Sequence, residues 1–270
     1  MTVQIYAHRG SSAAFAEHTR AAYLQALTDG ADGVECDVQL SADGELVLLH
    51  DETVDRTSSG TGPVAELTLA QLRELDFSSW HGADLPPACG TIATQLLTLP
   101  ELLHILAGAG RPVGLAIEFK YGEFFDPALV DAALRALRRH GWAAAGAAAG
   151  NIHVSFMSFH PEAVEYLAER IPGELLCQLL EIVEADRHSV TAAGEKLLDD
   201  GVAHLAGPGI DYLRENPANA ARWLEAGRVL RVWTVDTAED LQLCLANGAA
   251  EVTSNIPGEI RSLPTASPPK

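Results

Sequence analysis

Gly33-Val-Glu-Cys-Asp-Val-Gln-Leu40, the turn Ser41-Ala-Asp-Gly44 and the run Glu45-Leu-Val-Leu-Leu-His50 decide how this chain folds. Val34, Val38 and Leu40 are residues of a buried strand. Glu35 and Asp37 fall on one face of it and Cys36 on the other, because side chains alternate along an extended chain. Asp43-Gly44 joins this run to 46–50 so tightly that the two must form an antiparallel hairpin. Two carboxylates about 7 Å apart on one strand face repel each other and resist burial unless a cation lies between them. A solvated face is the ordinary alternative, and the apolar flanks weigh against it.

Outward from this hairpin, short apolar or β-branched runs at 3–7, 113–119, 152–156, 175–179, 203–206, 229–235 and 251–254 predict further strands. Several are continuously apolar, as buried parallel strands are. Well-punctuated helices separate them. Asp126-Pro127 opens 128–139 and Gly141 closes it, Asn216-Pro217 opens a helix that Gly227 ends, Thr98-x-x-Glu101 is a capping box, and Thr237 precedes Glu239-Asp240 in a first turn. The alternation predicts a parallel α/β fold. Nine candidate strands exceed the eight of a barrel, and the hairpin supplies the surplus one. The expected architecture is a single domain over 1–263, a distorted (β/α)₈ TIM-type barrel with a small insertion at 52–100 after the third strand. An open doubly wound sheet is the competing arrangement. The insertion is rich in Ser, Thr, Gly and Pro with one short helix near 69–75; 143–150 is a low-complexity connector without a predicted structure, and 264–270 is expected to be disordered.

The formal charge is −19, from 37 acidic and 18 basic residues. Such a field repels nucleic acid and anionic membranes, so neither is an expected partner, and an anionic substrate needs a local cluster of cations. No apolar run approaches the ~18–20 residues of a membrane span. The first residues carry no signal-peptide pattern, and Cys36, Cys89, Cys177 and Cys244 have no paired spacing, which together predict a cytoplasmic protein with scattered core thiols. Oligomeric state is open between a monomer and a homodimer.

Barrel enzymes carry their reactive groups at the carboxyl ends of the strands. Four such ends are chemically loaded here. His8-Arg9-Gly10 follows residues 3–7, Glu35 and Asp37 share a strand face, His50-Asp51 ends 46–50, and Glu118 and Lys120 share a face at the end of 113–119. Singly, each has a bland reading: a surface loop, a solvated face, a structural histidine, an exposed ion pair. Together they provide two histidines, the three carboxylates of Glu35, Asp37 and Glu118, and two cations. Those are the parts of phosphodiester cleavage, in which an oxygen-held hard cation neutralises phosphate and two histidines exchange a proton between nucleophile and leaving group.

These motifs, in this order, resemble the glycerophosphodiester phosphodiesterases almost end to end. The resemblance rests on His8-Arg9-Gly10, Glu17-x-Thr19, Glu35-x-Asp37-Val38, Leu49-His50-Asp51 with Arg56-Thr57, Glu118-x-Lys120, Ser158-Phe159, Val232-Trp233-Thr234-Val235 and Ser254-Asn255-x-Pro257. That family is similar in fold and histidine pair to the phosphatidylinositol-specific phospholipases C. The resemblance implies one Ca²⁺ or Mg²⁺ ion held by Glu35, Asp37 and Glu118, with His8 and His50 as the acid/base pair. It implies that Arg9 and Lys120 hold phosphate, that Trp233 shapes the pocket, and that Glu17 supports the loop and orients Arg9. The implied reaction is hydrolysis of small diesters such as glycerophosphocholine or glycerophosphoethanolamine to glycerol 3-phosphate and an alcohol. The alternatives are lysophospholipase D-type action, which needs an apolar rim near Phe77 and Trp80, and a non-catalytic phosphate-ligand binder. Three positions depart from the family: His18 stands for an asparagine, Asp236 for a frequent asparagine and Asn255 for a frequent aspartate. They are read as bearing on headgroup preference, without touching the acid/base or metal residues.

Overall fold

The computed structural model describes residues 3–122, 124–143, 148–182 and 188–264. Ten strands form one sheet: β1 (Gln4–Ala7), β2 (Gly33–Leu40), β3 (Leu46–Leu48), β4 (Val113–Phe119), β5 (Ala148–Ala149), β6 (Ile152–Ser158), β7 (Leu176–Leu180), β8 (Leu205–Pro208), β9 (Val229–Val232) and β10 (Glu251–Ser254). Eight are parallel neighbours in the order β1-β10-β9-β8-β7-β6-β4-β2, and β2 pairs back to β1. The sheet is a closed TIM-type barrel, and the open-sheet alternative is excluded.

β3 pairs antiparallel with β2, Val38 opposite Leu48 and Leu40 opposite Leu46. Gly44 takes φ +81° in the turn, a conformation that costs glycine little. The predicted 46–50 run ends as a strand at Leu48, which leaves His50 in the following loop. β5 is a two-residue antiparallel partner of β6 that sequence reading did not foresee; the predicted connector's residues 144–147 and the tail's 265–270 lie outside the described residues.

The helices start where their caps direct. Thr98 and Glu101 form the reciprocal box at the head of Leu99–Ala107, Asp126 accepts from the amide of Ala128 before Pro127–Arg139, and Thr237 accepts from that of Asp240. Between helices and strands lies the main core, while 52–100 shares a second cluster of Val47, Leu49, Val54, Val64, Leu72, Phe77 and Leu96. All four cysteines are buried and free. No helix among the described residues is long and apolar enough to cross a membrane.

Register fixes what faces the barrel interior. Asp37 lies opposite Glu118, and Glu35 opposite Ala116, so the inward face of β2 meets the inward face of β4. Lower in the barrel, Arg231 is almost wholly buried. It donates to Glu251 Oε2 at 2.5 Å and Ser155 Oγ at 2.9 Å, and stacks 4.5 Å from the Tyr6 ring centroid. The charge is compensated at the floor, and the mouth is left for chemistry.

Candidate active site

The site begins at the loop after β1. Gly10 has φ +82°, and a Cβ there would lie 2.6 Å from the Ala22 carbonyl carbon, so this turn accepts no side chain. Arg9 and His18 also hold positive φ, at 58° and 60°. Non-glycine residues adopt that region at a cost, and such outliers gather at functional sites. The turn directs the Arg9 amide to Glu35 Oε2 at 3.0 Å and the guanidinium to Glu17 at 2.9 Å and Asp37 at 3.2 Å.

Glu35, Asp37 and Glu118 converge, with one ligand atom from each within 4.8 Å of the others, all buried. Lys120 ties two of them together, in close contact with Glu118 and 3.2 Å from Asp37 Oδ1. Burial, reinforced by the charges of Asp37 and Glu118, holds Glu35 well above the ordinary carboxylate range. Burial likewise pushes Glu118 up to about 7 against the pull of Lys120. Burial also acts to raise Asp37, but Lys120, His18 and Arg9 outweigh it and keep that carboxylate ionised. The same carboxylates overcome the burial that would discharge Lys120, so its pKa is raised.

This all-oxygen cluster fits a hard divalent cation. Glu35 Oε1 and Asp37 Oδ1 are buried without a hydrogen bond, and three carboxylates exceed what the nearby cations neutralise. Glu35, Asp37 and Glu118 could therefore hold a metal ion.

Each histidine is anchored through Nδ1. His8 Nδ1 lies 2.8 Å from Asn255 Oδ1, and His50 Nδ1 2.6 Å from Asp51 Oδ1. Burial and the neighbouring Arg9 push His8 down to about 3, and burial and Lys120 lower His50. Arg56 grips both Asp51 and Glu17 with paired hydrogen bonds of 2.6–2.9 Å. A continuous chain of charge thus runs from His50 through Asp51, Arg56 and Glu17 to Arg9. Trp233 donates from Nε1 to the Gly207 carbonyl at 2.8 Å and meets Phe159 edge-on, while Lys120 lies 5.8 Å from the Phe159 ring centroid.

Two expectations need correction. His18 and Asn255, read as remote from the chemical residues, contact them: His18 Nε2 is 2.8 Å from Asp37 Oδ2, and Asn255 touches His8. His18 also meets the Tyr23 hydroxyl at 2.9 Å, so the ring bridges two buried oxygens. Phe77, one of the two aromatics on which an apolar rim rested, is 3% exposed and belongs to the insertion's own core. Sequence reading gave Asp51 and Arg56 no role beyond the motif, since their partners lie across the fold.

A closed barrel whose carboxyl-terminal mouth joins two anchored histidines to a buried acid cluster and two cations is the architecture of a TIM-barrel enzyme. The family model for the glycerophosphoryl diester phosphodiesterase family matches residues 8–259. A Mycobacterium tuberculosis protein named as a probable glycerophosphodiester phosphodiesterase 1 is 37% identical over 258 residues, covering 96% of this chain and 91% of the relative. The Bacillus subtilis glycerophosphodiester phosphodiesterase is 29% identical over 251 residues, covering 93% and 83%. Among solved structures, an Oleispira antarctica phosphodiesterase in complex with the product sn-glycerol-3-phosphate superposes with a TM-score of 0.79 at 25% identity, covering 96% of this chain and 95% of the other. The chain belongs to the glycerophosphoryl diester phosphodiesterase family. It is an enzyme with glycerophosphodiester phosphodiesterase activity.

Proposed function

We propose that the enzyme hydrolyses small glycerophosphodiesters, such as glycerophosphocholine or glycerophosphoethanolamine, to glycerol 3-phosphate and the free alcohol, with a Ca²⁺ or Mg²⁺ ion and His8 and His50 as the proton-transfer pair. The observation that carries this reading is the convergence of Glu35, Asp37 and Glu118 beside Arg9 and Lys120. The product bound in the Oleispira antarctica relative supports the assignment of glycerol 3-phosphate. Held by the three carboxylates, the ion supplies charge neutralisation for the phosphate as negative charge builds on its oxygens.

The chain's own residues do the rest. Arg9 and Lys120 hold the phosphate, and Trp233 with Phe159 walls the pocket. His8 is kept neutral by burial and Arg9, which suits a base. Burial and Lys120 lower the pKa of His50, the Asp51 carboxylate opposes them, and its 2.6 Å contact with Nδ1 orients the ring for the acid role. His8 takes the proton from the glycerol hydroxyl adjacent to the phosphoester, and that oxygen bonds to phosphorus. The bond from phosphorus to the leaving alcohol breaks, and His50 protonates the alcohol. The roles then reverse as water opens the cyclic phosphate. An internal nucleophile brings the high effective concentration of a tethered group. The test is a diester lacking the neighbouring hydroxyl: it binds and inhibits without turnover, and cyclic phosphate is trapped from the natural substrate. Hydrolysis of the deoxy analogue at the rate of glycerophosphocholine rules this route out.

A further inference from the structure

Asn255 sits just past β10, and Asp236 four residues past β9. Asn255 Oδ1 lies 2.8 Å from His8 Nδ1 and accepts from Ser12 Oγ at 2.7 Å. Its Nδ2 donates to Asp236 Oδ2 at 2.5 Å. The other Asp236 oxygen is held by the Asn255 amide at 2.8 Å and Ser254 Oγ at 2.9 Å. The carboxylate therefore cannot turn away, and it accepts only. An Asn255 side chain rotated by half a turn would set oxygen against carboxylate oxygen, so its orientation is dictated by the network. His8 Nδ1 then faces an acceptor and must carry the ring proton, which leaves Nε2 without one.

We propose that Asp236 is a positioning residue for the reaction: by locking the Asn255 amide it fixes His8 in the tautomer whose free nitrogen is Nε2. This rests on the proposed role of His8 as base. At these two positions the family frequently has asparagine and aspartate, and here acid and amide are exchanged. The exchange keeps a donor against an acceptor between the two side chains, and an oxygen against His8 in either arrangement. It removes the negative charge from direct contact with the imidazole, whose other charged or titratable neighbours include Arg9, Asp37 and His18.

The arrangement makes Asp236→Asn a directed perturbation. The new amide keeps its oxygen for the two donors at Asn255 N and Ser254 Oγ, and so turns its NH₂ toward Asn255. Asn255 must then rotate and present NH₂ to His8, which forces the ring proton onto Nε2. We expect kcat to fall by ~10²-fold, the scale of an acid/base contribution, with KM nearly unchanged. The double exchange Asp236→Asn/Asn255→Asp restores an acceptor to Nδ1. It should recover kcat to within about tenfold, with the acid limb of the pH profile moved upward because a carboxylate now touches the ring. Should Asp236→Asn fail to fold, the double exchange still decides, since it restores every pairing. Recovery of Tm without recovery of kcat, or wild-type kcat in Asp236→Asn, overturns the proposal. His8→Ala separates the two readings: full activity there removes His8 from the chemistry, whereas an inactive His8→Ala beside an active Asp236→Asn removes only the positioning role.

Discussion

Glu17→Gln is the perturbation whose size the structure lets one work out. The Glu17 carboxylate receives Arg9 at 2.9 Å and Arg56 twice at 2.8 Å, and its side chain is 12% exposed. Burial works to raise its pKa, but the Arg56 hydrogen bonds and the Arg9 charge win and bring it from an ordinary 4.5 to about 2. That gap is worth roughly 3 kcal/mol, at about 1.4 kcal/mol per tenfold in proton affinity. The folded pKa is depressed, so this contribution is complete above pH 4.5 and is lost as pH falls toward about 2. Glutamine keeps the shape and mimics the protonated form. At pH 7 the variant should therefore be less stable by about 3 kcal/mol in urea unfolding, and the difference should shrink steadily below pH 4.5. Since Glu17 also steers Arg9 and joins Arg56 to the site, kcat/KM should fall in the same variant. A stability difference that stays constant from pH 7 to pH 3, or no difference at pH 7, refutes the reasoning.

Chelation should abolish turnover, and Glu35→Ala and Glu118→Ala should each cost several orders of magnitude; a divalent cation should raise Tm in the wild type and much less in either variant, and full turnover in excess chelator would sink the metal assignment. His8→Ala and His50→Ala should each remove ~10²–10⁴ of the rate while the double variant is little worse, because the two act in one proton transfer; losses that simply multiply would argue against it. Arg231→Met should destabilise by ~3–5 kcal/mol by leaving Glu251 uncompensated at the barrel floor, with kcat of the folded protein unchanged; a neutral effect on unfolding would mean that Glu251 finds another partner.

The local pattern of the chain determined a great deal by itself. Period-two alternation placed Glu35 with Asp37 and Glu118 with Lys120, because a strand's geometry leaves no other choice. Asp43-Gly44 identified β3 as the hairpin surplus, since so short a link, residues 41–45, permits only an antiparallel return. Capping residues marked helix starts, and chemistry-bearing residues at strand ends pointed to the mouth. What only the tertiary structure decided was who touches whom around the ring. His8 and Asn255 are 247 positions apart, and meet because β10 pairs with β1 when the barrel closes. Arg56 and Glu17 are 39 apart, and meet because the insertion folds over the loop after β1. His18 reaches Asp37 through a left-handed turn that no periodicity announces. Arg231 read as an ordinary strand residue, and its burial against Glu251, Ser155 and Tyr6 follows from three other strands supplying compensation in the same layer. Alternation along one strand is a property of backbone geometry and survives in the sequence; the partner across the barrel is set by closure and register, which no single segment encodes.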